Sequence, residues 1–189
     1  MKKSLLNFRK YIALLVILLS GQIVYGEAAA QTREDSIKCR YVEKFTHFVS
    51  WQNNPANSDS VFRIAVVGDK RIFHALEETF KNVKVKDKNV KINLITSSDQ
   101  INNNLIVFIS KSVNGDKRDE ILKYTTGKPI LTISERNGYG LKGVIINMVV
   151  VDNYVRYEIN RVTLGKSRLK MNSLLIKSGT LVGKAGSND

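Results

Sequence analysis

The residues most able to do chemistry lie near the C-terminus, in Gly143–Asn160, GVIINMVVVDNYVRYEIN. Asn147, Arg156, Glu158 and Asn160 interrupt an otherwise apolar stretch. Amide, guanidinium and carboxylate groups brought together can recognise a polar partner. They can equally satisfy one another as a structural network. Elsewhere such residues are sparse. His47 and His74 are the two histidines, and neither sits in a metal-ligand spacing. There is no G-x-S-x-G elbow, and nothing flanking Cys39 marks it as a nucleophile. Val61–Gly68 followed by Asp69 has the strand-Gly-helix form of a nucleotide site, but without G-x-G-x-x-G or G-K-[ST]. The residues therefore predict neither catalysis nor a cofactor or metal. They leave open a binding surface, for which Trp51 and the loop aromatic Tyr139 are further candidates.

The elements that must position these residues follow from periodicity. Asp152-Asn153 tolerates the positive φ of a two-residue hairpin turn. With that turn, Val151 faces Tyr154, Val149 faces Arg156 and Asn147 faces Glu158. Period 2 then predicts a core face of Val144, Ile146, Met148, Val150, Val155, Tyr157 and Ile159. The mixed face carries Ile145, Asn147, Val149 and Val151 with Tyr154, Arg156, Glu158 and Asn160. Arg156 and Glu158 are expected to form a partly buried charge arrangement there.

Before the hairpin, Arg33–Trp51 reads as a helix capped by Asp35 or Ser36. Its apolar stripe is Ile37, Tyr41, Val42, Phe45, Phe48 and Val49. Strands are expected at Val61–Gly68, Val90–Ile95 (after a turn at Asp87-Lys88-Asn89), Leu105–Ser110 and Lys128–Ser134. Helices are expected at Arg71–Phe80, Asp116–Thr125, near Val162, and at Met171–Gly179 with Asn172 or Ser173 as cap. Glu135–Lys142, ERNGYGLK, has the glycines of a flexible loop with Tyr139 at its tip. Strands alternating with helices predict a single α/β layered sandwich, with a mixed sheet, helices on both faces and a C-terminal β-hairpin.

Length and composition agree with one domain after a leader. The chain has 189 residues, 43% of them hydrophobic, with seven Tyr and seven Phe. Lys2, Lys3, Arg9 and Lys10 precede the apolar run Ile12–Leu19, and Ala28–Ala30 offers small residues for cleavage. Residues 1–30 thus have the three parts of a secretory signal peptide, cut near residues 26–30. No cysteine stands directly after the apolar run to take a lipid. Losing four bases and Glu27 lowers the formal charge from +13 to +10. That charge favours weak contact with an anionic membrane surface or an acidic partner. The lysines are dispersed rather than interleaved with aromatics on one helix, which argues against nucleic acid. Cys39 is the only cysteine, so an internal disulfide is excluded.

Four segments, in order, resemble the YfiR/HmsC-like family of exported bacterial proteins. Lys38–Trp51, KCRYVEKFTHFVSW, is similar to K-A-x-Y-x-x-x-F-x-x-F-V-x-W-P. Phe62–Asp69, FRIAVVGD, is similar to F-R-I-x-V-x-G-D, and Leu105–Ser110 is LIVFIS. INM, VRYEIN and LKMNSLLIK match the family's closing motifs. Gln52 stands at a Pro position, Met148 and Tyr157 replace Phe, Cys39 stands for Ala, and Asn104 takes a common Cys position. The family's disulfide-linked redox sensing therefore does not carry over. The resemblance implies one YfiR-like domain over residues 31–189, periplasmic and non-catalytic. It implies binding and restraint of the sensor part of an inner-membrane signalling enzyme, a diguanylate cyclase or histidine kinase. Cyclic-di-GMP signalling and biofilm formation would be the output, and homodimers are known in the family. The alternative reading is a small-molecule sensor with its groove at Gly68-Asp69 and the glycine-rich loop.

Overall fold

The computed structural model describes residues 31–52, 56 and 58–183. The expected leader, most of the loop after Gln52 and the tail from residue 184 lie outside these. The chain divides into two units, residues 1–35 and 36–189. Of the first, residues 31–35 are described and helical, with Gln31 Nε2 donating to Asp35 at 2.7 Å. The sheet and its cores belong to the second.

Helix α1 covers residues 36–48 of the second unit. The helical run is already under way at residue 31, so Asp35 and Ser36 are interior positions rather than caps. Cys39, Val42, Phe45 and Val49 recur at three, three and four residues and are buried together. The helix stops at Phe48, three residues short of the expected Trp51. Val49–Ser50 forms strand β1, whose backbone pairs antiparallel with β9 (Lys170–Met171). That pairing lies 120 residues away in sequence, beyond the reach of any local pattern.

The chain then runs β2 (Val61–Val67), α2 (Lys70–Phe80), β3 (Lys84–Val85), β4 (Lys88–Ile95) and a 3-10 turn at Ser98–Ile101. It continues with β5 (Ile106–Ile109), α3 (Gly115–Thr125), β6 (Leu131–Ser134), β7 (Ile146–Val151) and β8 (Tyr154–Asn160). It ends with α4 (Arg161–Lys166), β9, α5 (Ser173–Ser178) and β10 (Thr180–Val182). Short polar side chains open the helices: Asp69, Asn114, Asn160 and Asn172 each accept a backbone N–H of the first turn, and of these Asn172 is an expected cap. The β3–β4 turn uses Lys86-Asp87, at φ 51° and 65°, one residue earlier than the sequence predicts.

Eight strands form a mixed sheet in the order β10-β8-β7-β6-β5-β2-β4-β3. β4, β2, β5, β6 and β7 are mutually parallel. Taken in chain order these five follow the 2-1-3-4-5 pattern of doubly wound folds. One sheet face buries Ile64, Val66, Phe108 and Ile133 against α1 and α2. The other buries Ala65, Val67, Val107 and Ile109 against Ile101 and α3. The expected α/β sandwich, with helices on both faces, is therefore what forms. Cys39 is fully buried on α1, a small core residue.

The hairpin forms in the expected register: Val151 opposes Tyr154, Val149 opposes Arg156 and Asn147 opposes Glu158. Asp152 and Asn153 have φ of 50° and 62°, as a type I′ turn requires. Alternation fails at its start. Val144 joins the α3-side core and Ile145 the α1-side core, the reverse of the expected faces. Gly143 has φ +105°, and Ile145 N donates to Thr132 Oγ1 instead of a strand carbonyl. Of Ile145 only the carbonyl has entered the ladder, accepting Asn160 N at 2.9 Å, so period 2 does not yet apply there.

Asp69 caps α2 and is clasped by Arg71, whose side-chain hydrogen bonds hold the carboxyl below its usual value of 3.8. A depressed folded-state value stabilises above the unfolded value and is lost as pH falls through the folded one. Denaturant melts between about pH 5 and pH 2 should show a steeper acid loss for the wild type than for Asp69→Asn, which keeps an acceptor without the charge. Parallel pH profiles would show that this clasp does not couple to stability.

Candidate functional site

Doubly wound sheets receive ligands outside the C-terminal ends of their strands, where the strand order reverses. Here that place lies between β2 and β5, and the chain fills it. Gly68 follows β2 at φ +104°, and a Cβ on it would lie 2.2 Å from Ser110 Oγ and 2.7 Å from Ser112 Oγ. Ser110 Oγ donates to Val67 O and accepts from Asp69 N, each at 2.9 Å. At the adjoining ends of β5 and β6, Glu135 accepts Lys38 Nζ from α1 at 2.5 Å. Both side chains are almost wholly out of water, at 3% and 1% exposure. Glu135 Oε1 also faces Lys111 N at 3.4 Å. The Gly68-Asp69 turn therefore offers no groove of the kind the small-molecule reading expected.

Two candidate contact residues turn out to be anchors. Trp51 is 1% exposed. Its Nε1 donates to Leu105 O at 2.7 Å, its ring meets Phe62 edge to face, and Lys86 Nζ lies over it. Burial lowers the pKa of that lysine, and Lys88 nearby adds to the effect. Tyr139 is 5% exposed and donates from its hydroxyl to Val113 O at 2.7 Å. Arg118 and Arg136 stack on its ring at 4.7 and 5.3 Å. The segment ERNGYGLK is therefore no flexible tip: its aromatic is driven into the α3-side core. Glycine count predicts backbone freedom but cannot see an aromatic seated in a hole.

The polar hairpin face divides in two. Asn147 is fully buried, and its Nδ2 donates to Glu158 Oε2 at 3.0 Å. Asn160 is 4% exposed. It donates from Nδ2 to Gly140 O at 2.8 Å and accepts Thr163 N at 2.9 Å. Gly140 closes this cluster: a Cβ on it would lie 2.5 Å from Glu158 Oε2. The loop backbone thus rests on the carboxylate, and the three side chains serve as a bracket between loop, hairpin and α4. Asn147 Oδ1 is buried within it without a partner. Arg156 is not part of the bracket. It is exposed, with its guanidinium 5.8 Å from the Tyr154 ring, and it forms no ion pair with Glu158. The expected Arg–Glu arrangement is absent because Glu158 lies under the loop while Arg156 lies beyond it, toward the hairpin tip.

What lies open is elsewhere. A groove of about 340 Å³ runs between α1, β8 and α5. Phe45, Val155, Tyr157 and Leu175 are buried in its floor; Tyr41 and Phe48 rise from α1. The rings of Tyr41, Phe45 and Tyr157 pack at centroid distances of 5.2 to 6.0 Å. Exposed Lys44, Arg156, Leu174 and Ser178 rim it. The hairpin tip continues beyond the sheet. β6 pairs with β7 at Ile146 and Asn147, and β10 pairs with β8 from Glu158 to Asn160. Val150, Val151 and Tyr154 at that tip are 46%, 48% and 66% exposed. The groove was legible in one respect: the α1 stripe is too wide for one sheet. Cys39, Val42 and Phe45 serve the core, while Ile37, Tyr41 and Phe48 form a second, less buried row.

Comparison with known proteins gives one family. The model described as YfiR/HmsC-like matches residues 35–180, well over half of the chain. No curated protein matches it.

Three substitutions test the buried pair and the bracket. Lys38→Met leaves Glu135 buried without its cation and should cost about 3–5 kcal/mol in denaturant melts. Adding Glu135→Leu should recover most of that loss. Full stability of the single variant would mean the pair carries nothing. Glu158→Ala removes the acceptor of Asn147 and should cost about 1–3 kcal/mol; an unchanged melt would mean the bracket is closed by other groups.

Proposed function

The chain belongs to the YfiR/HmsC-like family, and from that premise we propose that it is a non-catalytic periplasmic regulator of cyclic-di-GMP signalling. It binds the periplasmic sensor part of an inner-membrane signalling enzyme and restrains it. A diguanylate cyclase is the partner this reading favours, a histidine kinase the second. Residues 1–30 deliver the protein across the membrane and are then removed. No helix among the described residues is long and apolar enough to cross a membrane, so the reading requires contact with the partner from outside the bilayer. Biofilm formation is the downstream output. A homodimer and weak attraction of the basic chain to anionic headgroups fit the same setting.

The observation that carries the reading is the projecting hairpin tip. An unpaired strand edge bearing Val150, Val151 and Tyr154 would be a liability on a free protein. It suits a partner that adds a strand to the edge or covers the apolar tip. Arg156, the exposed member of the polar set, lies on that edge and gives it a positive charge. Trp51, Tyr139, Asn147, Glu158 and Asn160 serve this surface indirectly, by fixing the strands and loop behind it.

The test is Val151→Lys with Tyr154→Glu, two exposed and directly opposed positions whose opposite charges can pair and whose change leaves the core intact. The doubly substituted protein should melt as the wild type does, yet recover far less of the signalling enzyme in pull-downs from inner membranes. Cellular cyclic-di-GMP should move in the same direction as in a deletion strain. Normal capture and normal cyclic-di-GMP with this variant would remove the hairpin tip from the reading.

A further inference from the structure

We propose that the groove between α1, β8 and α5 binds a single-chain amphiphile with an anionic head, a carboxylate on an unbranched apolar tail. This site shares Arg156 with the hairpin edge of the regulatory reading, but it rests on the chemistry of the groove walls. A volume of about 340 Å³ falls at the small end of ligand pockets and suits a tail of roughly ten carbons.

The polar groups of the groove decide the ligand. Its floor is apolar and aromatic, and the floor hydroxyl is already spent. Tyr157 Oη donates to Leu175 O at 3.1 Å and lies 2.5 Å from Ser178 Oγ. Ser178 Oγ in turn donates to Leu174 O at 2.9 Å. A ligand with polar groups along its length would bury them without partners, at the cost that such burial carries. The tail must therefore be apolar. At the mouth the case reverses. Lys44 and Arg156 are exposed, and their recorded contacts are with the faces of Tyr41 and Tyr154, at 5.7 and 5.8 Å. Neither is in an ion pair among the described residues, and no carboxylate side chain lines the groove. Both belong to residues that line the groove, Lys44 on α1 and Arg156 on β8. A carboxylate head can take both while its tail displaces water from the aromatic floor. A cationic head would meet two like charges and no counterion.

Leu174 is 65% exposed and Phe48 36%. They stand as lips on opposite walls, one on α5 and one on α1. Closing them on a tail would bury both, which adds apolar area that an empty groove leaves wet.

The experiment is calorimetric titration of the mature protein with decanoate, kept below its micelle threshold, beside decanol and decyltrimethylammonium. Saturable binding of decanoate at one site is expected, with decanol about tenfold weaker and the ammonium weaker still. Lys44→Gln with Arg156→Gln alters two exposed side chains, so the fold is retained. It should lower decanoate affinity about tenfold, the sum of two modest ion pairs, and leave decanol unchanged. Equal affinity for the three heads would overturn the proposal, as would an unaffected double variant. If decanoate does not bind but Lys44→Gln alone, which spares the hairpin edge, loses capture of the membrane enzyme, the groove is a protein-docking surface and the amphiphile is wrong. If decanoate binds as expected while capture fails for the wild type, the site stands and the regulatory reading falls.

Discussion

Lys38 and Glu135 form the contact on which the arrangement of this protein depends. Two charges at 2.5 Å, with side chains 3% and 1% exposed, have given up nearly all their water. Such a pair adds little net stability over a well-packed apolar pair, because desolvation consumes most of its Coulomb attraction. Its effect is on position. The apolar stripe of α1 would tolerate small slides or rotations over the sheet, since Cys39, Val42 and Phe45 meet a broad apolar surface. A buried lysine that must reach one carboxylate at the end of β6 permits a single placement. Tyr41, Lys44 and Phe48 lie on the same helix within three turns of Lys38, so the groove wall takes its place from that pair.

A second constraint acts at the opposite side of the sheet. The loop after β6 does not wander over the surface. Tyr139 anchors it in the α3-side core, and Gly140 lets its backbone settle on Glu158. Asn147 and Asn160 then hold hairpin and α4 to that loop. The hairpin is thereby rigid at its base and unsupported at its tip. A stiff base makes the tip a fixed surface, and Tyr139, Asn147, Glu158 and Asn160 hold that base still.

Much of this was legible before any coordinates. The hairpin register followed from alternation and the Asp-Asn turn alone, because a one-residue slip would have put Arg156 in the apolar core. The parallel strands were visible as apolar runs, and the cap of the last helix as Asn172, whereas Asp35 and Ser36 proved to be interior positions. What escaped was non-local. β1, β9 and β10 are two or three residues long and exist because a distant backbone offers hydrogen bonds. The pairing of Lys38 with Glu135 has no sequence signal, since 97 residues separate them and nothing local signals their meeting. Trp51 and Tyr139 were misplaced for one reason. An aromatic beside a loop is equally compatible with exposure and with a plug, and only the hole that receives it decides. The groove escaped because the α1 stripe was assigned whole to the core.

The way the ends of the chain are tied has a consequence for how it comes into being. The exit of the first helix pairs with β9, and the outer edge of β8 is closed by β10, among the last described residues. Lys38 must wait for Glu135, and Val49 for Met171. A chain that emerges N-terminus first therefore carries its opening helix without a place to put it until nearly everything else has arrived. Contacts of such long sequence separation are entropically late. The described domain is consequently slow to commit to its fold, because its first helix gains its partners only through contacts across most of the chain.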